Sequence, residues 1–159
     1  MVDSTCYLPN ADNTTWREMG TGKQAKKGDH AEIQAYNAAS PGATVQVAMF
    51  IQDGAPCEVC HPKFRELSRA GGKSFIFCIS RGGYVIHLDT AAGDQLGGMH
   101  LPLDAGPRKK LLAEVLHNRW IKLDDDHLPA VLYFHAGTVF LDARPHNFPA
   151  CPPLLAGYG

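Results

Sequence analysis

The chain has 159 residues, of which 45% are hydrophobic and 19% are charged, a composition typical of a globular protein with a buried core. A formal net charge of -1 excludes strong non-specific binding to nucleic acid through bulk charge, so any such contact requires a local patch. No apolar run approaches the roughly 20 residues that span a bilayer, and we expect no membrane partner.

Residues 1–29 are polar and rich in turn signals, so the sequence predicts only two short strands there, at 5–8 and 14–19, paired as a hairpin. A small basic cluster follows them, formed by Lys23, Lys26 and Lys27. Such a cluster is either a solvated loop or a contact for phosphate groups, and the pattern alone does not decide between the two.

A helix is predicted at 31–39, ended by the Ser-Pro-Gly sequence that begins at Ser40. His30 and Glu32 flank its first residue. Side chains two positions apart on a regular helix project about 200° from each other. The two residues can therefore serve one site only if His30 lies at the start of the helix, outside its regular part. Asp29 is a suitable N-cap for such a start.

The nearly continuous apolar run at 45–52 predicts an inner strand that is covered on both faces. A second helix is predicted from about 57 to 70, with Pro56 at its threshold and two glycines after it. Cys57 and Cys60 would lie one turn apart at its N-terminus, so that both sulfurs face the same way and the backbone N–H groups favour thiolates.

Two antiparallel hairpins are predicted in the second half of the chain. The first joins strands at 75–80 and 84–89, because the connection is far shorter than the dozen or so residues that a parallel crossover requires. The second joins strands at 130–134 and 138–141. Between them, Pro107 begins an amphipathic helix whose apolar stripe ends at Trp120, which we expect to pack in the core.

Three side chains from the first two helices could bind one metal ion. His30, Cys57 and Cys60 supply an imidazole and two thiolates, one ligand short of a closed tetrahedral zinc site. Catalytic zinc leaves the fourth position to water, whereas structural zinc fills it with a protein ligand. Zn²⁺ is therefore the predicted cofactor, and Glu32 lies beside this set without being needed as a ligand.

The helix with His30-Ala31-Glu32, the strand, the Pro56-Cys57-x-x-Cys60 helix and the following strands resemble, in this order, the cytidine deaminase superfamily. The resemblance covers roughly residues 20–90, with a C-terminal elaboration at about 106–145, in a single domain spanning 1–159. It implies a three-layer α/β fold: a mixed sheet with helices on both faces and an antiparallel final core hairpin. A Cys-x-x-Cys pair alone is less specific, since redox pairs and half zinc fingers share it.

Within the superfamily the chain is most similar to deaminase domains of bacterial polymorphic toxins, and its elaboration beyond a minimal enzyme favours that type. The resemblance implies a secreted effector domain in the target-cell cytoplasm, which converts cytosine to uracil in single-stranded DNA and causes mutagenesis. It also implies a cognate immunity protein as partner. Cys60-His61 followed by Phe64 is similar to the deaminase domains of plant organellar RNA editors.

The resemblance assigns Glu32 the transfer of a proton from water to the base and then to the leaving ammonia. The ligands do not discriminate cytosine from adenine, so deaminases of RNA or of a free nucleoside remain open. A non-catalytic binding module stabilised by zinc is the alternative outside the enzymes.

Six residues are candidate substrate contacts. Aromatic rings stack bases and cations contact phosphates, and on that chemistry the candidates are Phe64, Tyr84, Arg81, Lys23, Lys26 and Lys27. His61 is adjacent to Cys60 and projects about 100° away from it on a helix, so we expect it at the surface or behind the ligands rather than among them.

Overall fold

The computed structural model of this protein describes residues 3–10, 15–24, 28, 30–42, 45–97, 117, 120–123 and 130–142. These residues form a mixed α/β structure with two α-helices, α1 (Ala31–Ala39) and α2 (Cys60–Ala70). The described strands are β1 (Asp3–Pro9), β2 (Trp16–Lys23), β3 (Val47–Gln52), β4 (Ser74–Ile79), β5 (Val85–His87), β6 (Gln95–Gly97), β7 (Trp120–Lys122), β8 (Ala130–His135) and β9 (Thr138–Asp142).

Seven of the described strands form one mixed sheet in the order β2-β1-β3-β4-β8-β9-β6. β3 and β4 are parallel and are connected through α2, as a parallel pair requires. β4 pairs with β8 in the antiparallel sense. β5 and β7 form a separate antiparallel pair. We call this pair, together with the flanking residues Tyr84 and Leu123, the β5–β7 ribbon, because the Leu123 N–H donates to the Tyr84 carbonyl at 3.1 Å.

Side chains of the central strands alternate between two hydrophobic clusters. Phe77 belongs to the cluster that contains Ala35 of α1 and Phe64 of α2. Ile76 and Cys78, its neighbours in β4, belong to the second cluster, on the other face of the sheet. Both described helices therefore pack on one face, and α1 and α2 do not supply the predicted coverage of both faces.

Several local predictions are confirmed. β1 and β2 form the expected N-terminal hairpin, β3 lies within the predicted inner strand, and α1 ends at Ser40, which adopts a left-handed conformation with φ 47°. β8 and β9 form the predicted second hairpin. Its two turn residues, Ala136 and Gly137, have φ of 52° and 83°, the positive values that a tight hairpin turn uses.

The predicted hairpin between 75–80 and 84–89 is wrong. β4 pairs with β3 and β8, and the 84–89 segment instead contributes β5 to the ribbon. β4 is a central strand that is buried along its whole length, so the backbone groups on both of its edges need hydrogen-bonding partners. β3 and β8 supply them. β8 offers β4 five consecutive buried residues, at 130–134, whereas β5 is only three residues long, so the non-local pairing buries more apolar area.

The amphipathic helix predicted from Pro107 lies outside the described residues, apart from His117. Trp120, placed at the end of its stripe, begins β7 instead. In the described part of the chain no helix is both long enough and apolar enough to cross a membrane.

Candidate metal centre

His30 occupies the N-cap position of α1. Its backbone is extended, with φ −122° and ψ 99°, while its carbonyl already accepts the N–H of Gln34 at 3.0 Å. The side chain therefore leaves the chain before the regular helical spacing begins, which confirms the predicted position at the helix start. Asp29, predicted as the N-cap, precedes that position and lies outside the described residues.

The two cysteines lie in a turn that leads into α2. Cys57 precedes the helix and Cys60 is its first residue, so the helix begins three residues later than predicted. The Cys60 N–H donates to Cys57 Sγ at 3.4 Å, and the His61 N–H donates to the Cys57 carbonyl at 2.9 Å. These contacts fold the segment so that both sulfurs approach the start of α1.

Four side chains converge there. One potential ligand atom from each of His30, Glu32, Cys57 and Cys60 lies within 4.8 Å of all the others. Cys57 Sγ is 3.4 Å from His30 Nδ1. A tetrahedral zinc with ordinary Zn–S and Zn–N bond lengths holds such a pair about 3.6 Å apart. The donor set and this separation fit, so the cluster could hold a metal ion.

The two sulfurs differ in environment. Cys57 is exposed, whereas Cys60 has no exposed surface. Burial raises the pKa of the Cys60 thiol, and the neighbouring Glu32 carboxylate and Cys57 raise it further. A metal that binds here must therefore displace the Cys60 proton, and Cys57 is the ligand that meets solvent.

A buried hydrogen-bond chain orients Glu32. Gln52 Nε2 donates to Glu32 Oε2 at 3.2 Å and to the Gly54 carbonyl at 2.9 Å, while Gln52 Oε1 accepts from Ser4 Oγ at 2.8 Å. Glu32 and Gln52 are each 3% exposed. Sequence analysis missed Gln52, although an amide at the end of an otherwise apolar strand was a signal, since buried polar groups require partners.

Two glycines of β2 let α1 lie close to the sheet. A Cβ at Gly22 would lie 1.9 Å from the Ala31 carbonyl oxygen, and one at Gly20 would lie 2.3 Å from that of Ala35. Only glycine permits this approach, which fixes the position of the first turn of α1 and so of His30 and Glu32.

His61 does not join the ligand cluster and is buried behind it. Its Nε2 lies 3.3 Å from an Arg65 nitrogen, and its Nδ1 has no hydrogen-bond partner among the described residues. Burial, together with the Arg65 charge and His87, lowers the pKa of His61 to about 3. The ring is therefore neutral and packs against its aromatic neighbours.

Phe64 is a core residue rather than a candidate substrate contact. It has no exposed surface, and its ring meets those of Phe50, Phe75 and Phe77 at centroid distances of 5.3, 5.0 and 5.0 Å. Its place in the helix could not show this, because the phenylalanines it packs on come from β3 and β4. A base has no face of this ring to stack on.

Tyr84 and Arg81 lie next to the segment that leads into Cys57. A Cβ at Gly54 would lie 2.7 Å from the Tyr84 ring, and the Arg81 N–H donates to the Asp53 carbonyl at 3.0 Å. The Arg81 side chain is 65% exposed and lies 3.6 Å from the Asp53 carboxylate. Both residues remain candidates for contact with a substrate.

The basic cluster is described only in part. Lys23 is exposed at the end of β2, and its backbone N–H donates to Gln34 Oε1 at 3.1 Å. Lys26 and Lys27 lie outside the described residues.

No model of a known protein family matches this chain, and neither a curated protein nor a solved structure matches it. The chemistry of the four converging residues and the resemblance of their two motifs are therefore the features that indicate a function.

Proposed function

We propose that this protein is a zinc-dependent hydrolytic deaminase that converts cytosine to uracil in single-stranded DNA. The observation that carries the proposal is the convergence of His30, Cys57 and Cys60 with the buried carboxylate of Glu32. The order α1, β3, α2, β4 supports it, because the resemblance to the cytidine deaminase superfamily rests on that order of the elements that carry the two motifs.

In this proposal His30, Cys57 and Cys60 would hold the ion, which would lower the pKa of a water molecule and so make it a better nucleophile. Glu32 would accept a proton from the attacking water and deliver it to N3 of the base, and would then carry a second proton from the hydroxyl added to C4 to the departing amine. Cytosine and water thus give uracil and ammonia. Gln52 keeps the carboxylate in one orientation during both transfers, because its own amide is held by Ser4 and Gly54.

The proposal extends to biological context through resemblance to polymorphic-toxin domains. The chain would act as the toxin domain of a secreted effector in the target-cell cytoplasm, where uracil in DNA is mutagenic. A cognate immunity protein would cover the mouth of the site beside the exposed Cys57. Bacterial cells that express either the parent protein or a catalytically inactive variant test this context, because mutations counted in their DNA report the biological effect and not the reaction in purified protein.

The substrate is tested by offering single-stranded DNA, duplex DNA, RNA and free cytidine to the purified protein and measuring uracil or uridine. Conversion of single-stranded DNA alone is the expected result. Conversion of RNA or cytidine would contradict single-stranded DNA as the substrate while retaining the chemistry. Formation of hypoxanthine within an adenine-containing strand would show that the target base is adenine instead of cytosine.

One observation favours a non-catalytic alternative. Glu32 belongs to the same cluster as the other three residues, so its carboxylate could complete a closed set of four protein ligands. A structural site predicts that Glu32→Ala loses zinc and unfolds, and that no base releases ammonia. The catalytic proposal predicts that Glu32→Ala keeps zinc and loses turnover.

A further inference from the structure

The β5–β7 ribbon contacts residues on both sides of the Cys57–Cys60 segment, at Gly54 and at His61. At one end, the ring of Tyr84 lies against Gly54, three residues before the first candidate thiolate ligand. At the other end, the ring of Trp120 lies 5.9 Å from that of His61. His61 directly follows Cys60, the second candidate thiolate ligand. The ribbon therefore runs beside the segment that carries both sulfurs.

The ribbon presents an ordered aromatic surface. Ile86 and Ile121 are 0% and 2% exposed and face the core, so the alternate residues of both strands lie on the opposite face. There His87 and Trp120 are cross-strand partners, and their rings stack with centroids 4.9 Å apart and planes inclined by 26°. Trp120 remains 37% exposed, so this fixed ring can still accept another planar group.

Lys122 is the exposed cation of the ribbon and lies on the same face as Trp120, two residues along β7. Arg81, which precedes the ribbon, is also largely exposed but lies 3.6 Å from the Asp53 carboxylate. Asp124, Asp125 and Asp126 follow the ribbon in the sequence and lie outside the described residues. Phosphates separated by stacked bases are complementary to such an arrangement of cations beside an aromatic ring.

We propose that the β5–β7 ribbon binds the nucleotides adjacent to the target base in a single strand of nucleic acid. A neighbouring base stacks on Trp120, which His87 supports from behind, and a phosphate lies near Lys122. A single strand fits because its bases can expose their faces, whereas those of a duplex are already stacked. The identity of the target base rests on the proposed deamination, but this binding does not require catalysis.

The experiment measures binding of a fluorescein-labelled, 12-nucleotide single-stranded DNA to the full-length zinc-loaded protein by fluorescence anisotropy. All variants carry Glu32→Gln, so that the probe is not consumed. Trp120→Ala removes the stacking surface, Trp120→Phe retains a ring, and Lys122→Gln removes the cation. Leu67→Ala is the control, because Leu67 is 38% exposed on α2 and lines a groove with Tyr36 and Asn37 of α1 instead of residues of the ribbon.

Trp120→Ala is expected to weaken binding roughly 5- to 100-fold, the usual effect of losing one stacked base, whereas Trp120→Phe and Leu67→Ala stay within about twofold. Lys122→Gln should weaken binding and reduce its salt dependence by about one phosphate contact. Equal binding by Trp120→Ala, Lys122→Gln and the parent, preference for a duplex of the same sequence, or no binding by the parent would overturn the proposal. If Trp120→Ala does not fold, Lys122→Gln decides, because it alters only an exposed side chain.

The same data separate this inference from the proposed function. Ribbon-dependent binding by a protein that deaminates no base would retain the ribbon surface and reject the enzyme. Deamination of an oligonucleotide with no effect of the ribbon variants on binding would retain the enzyme and reject the surface. RNA of the same sequence, tested as a competitor, reports whether the sugar is recognised.

Discussion

Gln52 donates a hydrogen bond from Nε2 to Oε2 of Glu32 across 3.2 Å, and both side chains are almost completely buried. The amide of Gln52 is itself fixed by Ser4 and by the Gly54 carbonyl, so it has little freedom to follow a moving carboxylate. This relationship gives Glu32 one defined orientation beside the candidate metal ligands, as the proposed proton carrier requires.

Gln52→Leu is expected to lower kcat about 10- to 100-fold with little change in KM, because the carboxylate loses its orientation while the substrate surface is unchanged. It should also lower the free energy of unfolding by about 1–3 kcal/mol, since Ser4 and Glu32 lose a buried partner. Steady-state kinetics on an oligonucleotide, with zinc content measured alongside, provides the test. An unchanged kcat would show that Gln52 has no positioning role.

Gly22→Ala is expected to displace the first turn of α1, because the new Cβ would meet the Ala31 carbonyl at 1.9 Å. We expect a loss of about 1–3 kcal/mol in stability and weaker zinc binding, since His30 moves with the helix. Gly42→Ala is the matched control, because no atom lies within 4 Å of a Cβ at that position. Thermal unfolding and zinc titration of the two variants should differ, and equal values would contradict the close packing.

Asp94 should make part of the stability dependent on pH. Burial alone would raise its pKa, but hydrogen bonds from Arg65 and from the N–H groups of Asp89 and Val139 outweigh burial and lower the pKa. As the pH falls below about 4, the unfolded chain therefore takes up this proton before the folded one, and stability falls by up to about 1.4 kcal/mol per pH unit. Asp94→Asn has no carboxylate at this position, so its stability should not include this pH-dependent contribution.

Urea unfolding of the parent and of Asp94→Asn between pH 7 and pH 3 measures the difference between their free energies of unfolding. Effects of pH that are common to both proteins cancel in this difference. At pH 7 the variant should be less stable by about 2–4 kcal/mol, because Arg65 loses a carboxylate that it contacts at 2.6 and 2.9 Å. The gap should narrow below about pH 4. Curves that stay parallel down to pH 3 would rule out a depressed Asp94 pKa.

The described cysteines should differ sharply towards a thiol reagent. Cys57 is exposed, whereas Cys6 and Cys78 are buried, and burial raises the pKa of each of these two to about 12. Iodoacetamide is expected to modify Cys57 first in chelator-treated protein, and added zinc should slow that reaction at least tenfold. Peptide mapping by mass spectrometry identifies the modified residue. No protection by zinc would contradict Cys57 as a ligand.

The candidate ligands were predictable because their signal is local. His30 precedes a helix that ends where Ser40 predicts, and the spacing of Cys57 and Cys60 is maintained by hydrogen bonds within five residues. The β8–β9 hairpin was predictable for the same reason, since its turn lies within Ala136 and Gly137.

The predictions that were wrong concern features that depend on residues distant in sequence. β4 pairs with β8 across a long separation, and no pattern around residue 80 reveals that partner. Phe64 is buried by phenylalanines from two strands, and Trp120 is placed by its pairing with His87 rather than by its own helix-like neighbours. Burial and cross-strand partners are properties of the assembled sheet, so functional surfaces were harder to predict than ligands.

Proton transfer by Glu32 is tested by comparing Glu32→Gln with Glu58→Gln at equal zinc content and measuring the uracil formed in a single-stranded oligonucleotide. Glu32 is buried beside the ligands, whereas Glu58 is exposed between the two cysteines, so the pair separates proton transfer from simple loss of charge. We expect Glu32→Gln to retain zinc and lose at least 100-fold in rate, and Glu58→Gln to match the parent. Full activity in zinc-loaded Glu32→Gln would contradict the account.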